Sequence, residues 1–114
     1  MLTIDKLRAY GADVTSGMAR CINNEDFYLK MVNKVISDQS SIDRLTQAVN
    51  DHDLDEAFEA AHALKGILSN LALTPVLEPV SEMVELLRDR ADTDYSTYMQ
   101  TIHDKMKELT GLTD

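Results

Sequence analysis

Tryptophan is absent from this chain of 114 residues, cysteine occurs once, proline twice and glycine four times. A lone thiol, Cys21, excludes an internal disulfide and suits a reducing compartment. Nothing in its context marks it as a reactive thiol, so it is expected in the core. Basic excess is also lacking: eleven Lys and Arg against twenty Asp and Glu leave a net charge of −9. That balance excludes the basic face of a nucleic-acid binder and the polybasic patch of a protein held on anionic lipid. No apolar run approaches the roughly 20 residues of a membrane-spanning helix. Met1 to Tyr10 mixes charged and apolar residues and is not expected to be a signal peptide. What is present is ordinary for a globular protein: 44% hydrophobic and 27% charged residues, enough to bury one core. The expectation is one soluble, cytoplasmic domain over residues 1–114, with no nucleic-acid or membrane partner.

The few glycines and prolines leave long uninterrupted stretches, and β-branched residues nowhere alternate at period two. Helical spacing recurs instead. A short segment from Leu2 to Tyr10 is expected to stop at Gly11. Asp13 can cap a second, with Val14, Met18, Cys21 and Ile22 on one face. Asn23 or Asn24 then caps a helix carrying Phe27, Met31, Val32, Val35 and Ile36. Asp38 to Ser41 interrupt it before Ile42, Leu45 and Val49 resume the pattern. A central helix starts at Asp53, with Glu56 three residues on as in a capping box. It should end near Leu73, because Thr74 precedes Pro75. Pro79 would break a helix interior, so the next helix is expected to settle from about Pro79 and carry Val80, Met83, Val84 and Leu87. The last runs from about Thr93 to Leu109, with Tyr95, Tyr98, Met99, Ile102, Met106 and Leu109 at core spacing. Short connections favour antiparallel neighbours. The predicted fold is all-α: an up-and-down antiparallel four-helix bundle with short additional N-terminal helices.

The central helix breaks the usual pattern. At about 100° per residue, its apolar stripe (Leu54, Ala57, Ala61, Leu64, Leu68 and Leu71) leaves His62 roughly 140° from the stripe's centre. Gly66 falls almost opposite the core. A glycine there costs about 1 kcal/mol relative to Ala. A close helix crossing would place it toward the core, and drift at a tolerant site remains open. The functional reading is that something large must approach the backbone beside His62. Ser69 and Asn70 continue a small polar strip, and Phe58 flanks it, with burial against a neighbouring helix as its plain alternative. Lys65 follows His62 at i+3, where side chains meet. A neutral imidazole can attack an activated phosphoryl donor, and the resulting dianion would have the Lys65 ammonium within reach.

Ala61-His62-Ala63-Leu64-Lys65-Gly66, followed by Ser69-Asn70-Leu71, resembles the motif of histidine-containing phosphotransfer (HPt) domains. Leu7 to Val14, Ala19-Arg20-Cys21 and Phe27 to Lys30 are similar to the N-terminal helices of bacterial members, so the resemblance covers nearly the whole chain. It implies that His62 is phosphorylated, that Lys65 stabilises the phosphoryl group, and that Gly66 admits a receiver domain. The partner-facing set is then Phe58, Glu59, Gly66, Ser69 and Asn70. Many members carry a second glycine where this chain has Ala72, read here as helix-compatible and harmless.

The implied function is a phosphorelay intermediate that takes a phosphoryl group from a receiver-domain aspartate and passes it to another. The partner would bring the aspartate and Mg²⁺. The chain itself is expected to be a monomeric carrier and not an enzyme, without cofactor or metal, since it has no glycine-rich nucleotide loop or evident Mg²⁺ carboxylates. Two alternatives are the phosphoacceptor domain of a chemotaxis-type histidine kinase and a helical adaptor in which His62 is incidental. Glu59-x-x-His62 has the spacing of half a di-iron site, but no second such motif exists and His62 points outward. Glu59 could instead steady one tautomer of His62. His52 and His103 lie at no ligand spacing from His62 and are expected at the surface.

Overall fold

Four helix starts follow from side chains that satisfy orphaned N–H groups. In a computed structural model describing residues 1–114, the hydroxyl of Thr3 accepts from the Lys6 amide and starts α1, Ile4–Tyr10. Asp13 accepts from Ser16 to start α2, Val14–Arg20, and Asn24 accepts from Phe27 to start α3, Glu25–Ser37. Then come α4, Ser40–Asn50, and α5, Leu54–Asn70, the latter capped by Asp53. The last two are α6, Thr74–Arg88, and α7, Ser96–Gly111. Gly11 closes α1 at φ 112°, the left-handed geometry that favours glycine.

The protein is all-α. Its helices α4, α5, α6 and α7 pack as consecutive neighbours, joined by short reversals, while α3 packs on α2 and α7. One core of 27 buried residues runs from Leu2 to Leu109. Its largest fully buried side chains include Tyr28, Leu45, Leu64, Leu68, Met83, Leu87 and Ile102. Cys21 is a buried free thiol, as its apolar spacing suggested. No helix is long and apolar enough to cross a membrane.

Four details differ from the sequence expectation. First, α5 ends at Asn70, not near Leu73, because the chain reverses through Ala72 at φ 52°. Second, α6 begins at Thr74 and runs through Pro79. Pro75 occupies the first turn, where an amide is dispensable, and Pro79 forgoes one backbone bond while its ring is buried. Third, α7 begins at Ser96, three residues later than expected, since the Tyr95 hydroxyl donates to the Ala91 carbonyl at 2.7 Å and folds the connection back. Fourth, Ile22 and Phe27 are 84% and 45% exposed. Left-handed Ile22 and Asn23 turn the first outward, and α3 instead buries Tyr28 and Val32.

Candidate functional site

The anchoring of α5 fixes which of its faces meets solvent. The Asp53 carboxylate accepts from the Glu56 amide at 3.1 Å, and Asp55 and Glu56 place negative charge at the positive end of the helix. Only this half of a capping box forms. The Asp53 amide is taken by the Ala48 carbonyl at 2.9 Å, and the Glu56 carboxylate pairs with Arg44 on α4. That guanidinium holds the Glu56 carboxyl below its ordinary range. On the inward side Ala57, Ala60, Ala61, Leu64 and Leu68 are buried. Three alanines on that side let neighbouring helices approach closely.

His62 is therefore exposed, in the middle of a helix pinned at its start and buried along its back. Lys65, half-buried, follows at i+3, and Gly66 is exposed. A Cβ built on Gly66 would have nothing within 4 Å. No helix crosses at Gly66, so the packing explanation for this glycine is excluded.

Phe58 is half-buried and packs against the core, yet its ring also faces the imidazole, with centroids 5.7 Å apart. Two guanidinium groups from the end of α6 lie over the same ring: Arg88 at 5.4 Å and Arg90 at 4.8 Å from its centroid. Arg90 is held by the Asp55 carboxylate at 2.7 Å and the Leu87 carbonyl at 2.7 Å. Arg88 also pairs with the Glu85 carboxylate at 3.6 Å, so both guanidinium groups lie over the Phe58 ring while bridged to carboxylates. Sequence reasoning missed both arginines. Their place depends on how α6 lies beside α5, and the only local sign was positive charge at the end of a helix.

The other expected residues divide. Ser69 is half-buried and its carbonyl accepts from Arg20, which brings α2 to the end of this strip. Asn70 is exposed beside Ile67, a hydrophobic residue 40% exposed that the sequence reading did not single out. Glu59 is exposed but lies near Arg44, whose charged form it favours; the imidazole's neighbour is the Phe58 ring. A tautomer-steadying role for Glu59 therefore finds no support. Of the other histidines, His52 is exposed at a left-handed turn, and His103 is exposed with its Nε2 3.2 Å from the Thr46 hydroxyl.

The strip presents an exposed imidazole, Lys65 at i+3 on the same helix, open space over Gly66, and two guanidinium groups over the neighbouring Phe58 ring. Residues 37–111 match the model of the Hpt domain family. The chain belongs to that family. No curated protein and no solved structure matches the chain significantly. Hpt domains carry out histidine phosphotransfer in two-component signalling, with receiver domains and kinases as their partners. They are phosphotransfer carriers and generally not enzymes. The matched segment contains all of α4 to α7 and all three histidines, while α1, α2 and most of α3 lie outside it.

Proposed function

We propose that residues 1–114 act as one phosphorelay module in which His62 carries the phosphoryl group. The observation that carries this reading is the contrast among the three histidines. Only His62 sits mid-helix beside an exposed glycine with open space above it, with Lys65 at i+3 and the Arg88–Arg90 pair across Phe58.

In the forward step the lone-pair nitrogen of neutral His62 attacks the phosphorus of a receiver's aspartyl phosphate. A P–N bond forms, the P–O bond to the aspartate breaks, and the partner's carboxylate leaves with the electron pair. The reverse step loads a second receiver. The receiver supplies the aspartate and its Mg²⁺; this chain supplies the nucleophile, an unobstructed line of approach and the cations that stabilise charge as it arrives. Lys65 reaches the phosphoryl group from the same helix, and Arg88 and Arg90 strengthen the local positive field. The module works as a monomer in the cytoplasm of a bacterium, where a reducing environment keeps the Cys21 thiol free.

The test is phosphoryl uptake by His62→Gln, His52→Gln and His103→Gln, offered a phosphorylated receiver domain and, separately, a phosphorylated kinase domain. His62→Gln should lose uptake from every donor while changing stability by less than about 0.5 kcal/mol. The other two should load like the wild type. Uptake undiminished in His62→Gln would end the reading. Loading from the kinase alone would favour a kinase phosphoacceptor domain.

A further inference from the structure

From Phe58 to His62 is a step of about 40° around α5 and about 6 Å along it, so the two side chains share one face. Helical side chains lean toward the N-terminus, which carries the imidazole back over the turn that holds Phe58. The rings meet there, with centroids 5.7 Å apart and planes tilted by 32°. That separation lies within the range of attractive aromatic pairs. Among the three imidazoles, that of His103 alone makes a hydrogen bond, so the orientation of the His62 ring is set by Phe58.

The Phe58 ring is itself fixed. It packs against the hydrophobic core, and the Arg88 and Arg90 guanidinium groups lie over it at 5.4 and 4.8 Å from its centroid. Both groups are tethered, Arg88 to Glu85 and Arg90 to Asp55 and the Leu87 carbonyl. Asp55 stands three residues before Phe58, so the second tether closes on α5 itself. We propose that Phe58 is a positioning residue, whose fixed ring holds the His62 imidazole in the orientation that in-line attack on phosphorus requires. The proposal rests on His62 as the phosphoryl carrier. On a helix two χ1 wells are open to a side chain and an imidazole has two broad χ2 wells, so an unrestrained ring spends about a quarter of its time in any one arrangement. Holding the ring before the donor arrives removes that loss from the barrier.

The test compares wild type, Phe58→Leu and Phe58→Tyr. Leu keeps an apolar side chain against the core but no ring, whereas Tyr keeps the ring. Each protein is loaded with phosphoramidate, which needs no docking: an imidazole nitrogen attacks phosphorus and ammonia leaves with the electron pair. NMR follows loading at each histidine separately. In Phe58→Leu the rate at His62 should fall about fourfold, the loss expected of a freed ring. His52, in a turn, and His103, on α7, should load as in the wild type and report that the fold is intact. Phe58→Tyr should restore His62 loading. The His62 ring protons should lose their aromatic ring-current shift in Phe58→Leu and keep it in Phe58→Tyr. With a phosphorylated receiver domain as donor, the limiting rate should fall by the same factor while KM stays within about twofold. Wild-type loading of His62 in Phe58→Leu overturns the proposal, and a rise in KM alone would return Phe58 to the partner-facing set. An equal loss in Phe58→Tyr overturns it too, since the ring would then not be what matters. Each of these results leaves His62 as the carrier. A receiver that phosphorylates His52 or His103 of the wild type and never His62 would remove the carrier, and the proposal with it.

Discussion

The Tyr28 hydroxyl donates to the Leu71 carbonyl at 2.9 Å, tying α3 to the turn that ends α5. Gly17 on α2 sits against both partners. A Cβ there would stand 2.6 Å from the Tyr28 ring and 2.8 Å from the Leu71 oxygen. The Asp13 amide adds a bond to the Ala72 carbonyl at 3.0 Å, so α2 and α3 are both tied to this reversal. Gly17→Ala should destabilise the protein by about 2 kcal/mol, since a buried ring and a backbone oxygen must both shift. Tyr28→Phe keeps the ring but leaves a buried acceptor unpaired, and should cost about 1 to 2 kcal/mol. Urea unfolding of both variants checks the order.

Alkaline pH should find the same joint. Burial pushes the Tyr28 hydroxyl up to about 12 from its ordinary 10.0, with the Cys21 and Asp13 charges adding to it. Burial also raises Tyr10, whose hydroxyl donates to the Lys105 carbonyl at 2.9 Å. The folded state holds these protons more tightly than the unfolded chain. Their stabilising effect is thus complete below pH 10 and declines as pH rises from there through about 12. Urea midpoints between pH 8 and 12 should fall on the alkaline side. Tyr28→Phe should flatten part of that fall, and an identical slope in the variant would remove Tyr28 from the account.

Ala72 is not the harmless helical residue that the sequence suggested. It sits at φ 52°, one residue past the C-cap of α5, and is buried. A left-handed position there favours glycine because a Cβ crowds the following carbonyl. Ala72→Gly should therefore stabilise the fold by about 1 kcal/mol, read as a higher melting temperature. The wild-type rate of phosphoryl transfer should persist, since His62 lies more than two turns away.

Periodicity made the helices and the exposed side of α5 legible, because Asp53, Gly11 and the spacing of Ala57, Leu64 and Leu68 are local signals. The end of α5 was misplaced because Pro75 marks where a helix must stop, whereas the reversal at Ala72 comes earlier and shows no glycine. Phe27 and Ile22 were assigned inward from spacing alone. Ile22 is turned outward by the left-handed turn at Ile22 and Asn23, and Phe27 by the long-range joint of Tyr28 and Leu71, which no local pattern encodes. Within the candidate site, His62, Lys65 and Gly66 were readable from one helix. Arg88 and Arg90 were not, since their approach to Phe58 depends on tertiary packing.

Those arginines should matter to rate more than to folding. Arg88→Ala and Arg90→Ala each remove an exposed cation from beside Phe58, and the Arg90–Asp55 pair at the surface contributes at most about 1 kcal/mol. Transfer through His62 should slow severalfold in each and further in the double variant. The loss should shrink as salt is raised, because screening weakens the same field in the wild type. Equal rates at low salt would exclude the arginines from the phosphoryl site.

Gly66 sets stability against function in a single position. Nothing lies within 4 Å of a Cβ built there, so a side chain can start from this position without a clash. Replacing a poor helix former should then stabilise α5, by up to about 1 kcal/mol for both Gly66→Ala and Gly66→Gln. Helical side chains lean toward the N-terminus, so a long residue at 66 lies over the turn that carries His62. Transfer should therefore fall with side-chain size, mildly for Ala and severely for Gln, since donor and acceptor must meet nearly in line. Phosphoramidate, being small, should still load both variants. That difference separates a blocked partner from a damaged nucleophile. A Gly66→Gln protein that melts higher and still exchanges phosphoryl groups with a receiver at the wild-type rate would show that the open space above Gly66 is not the route to His62.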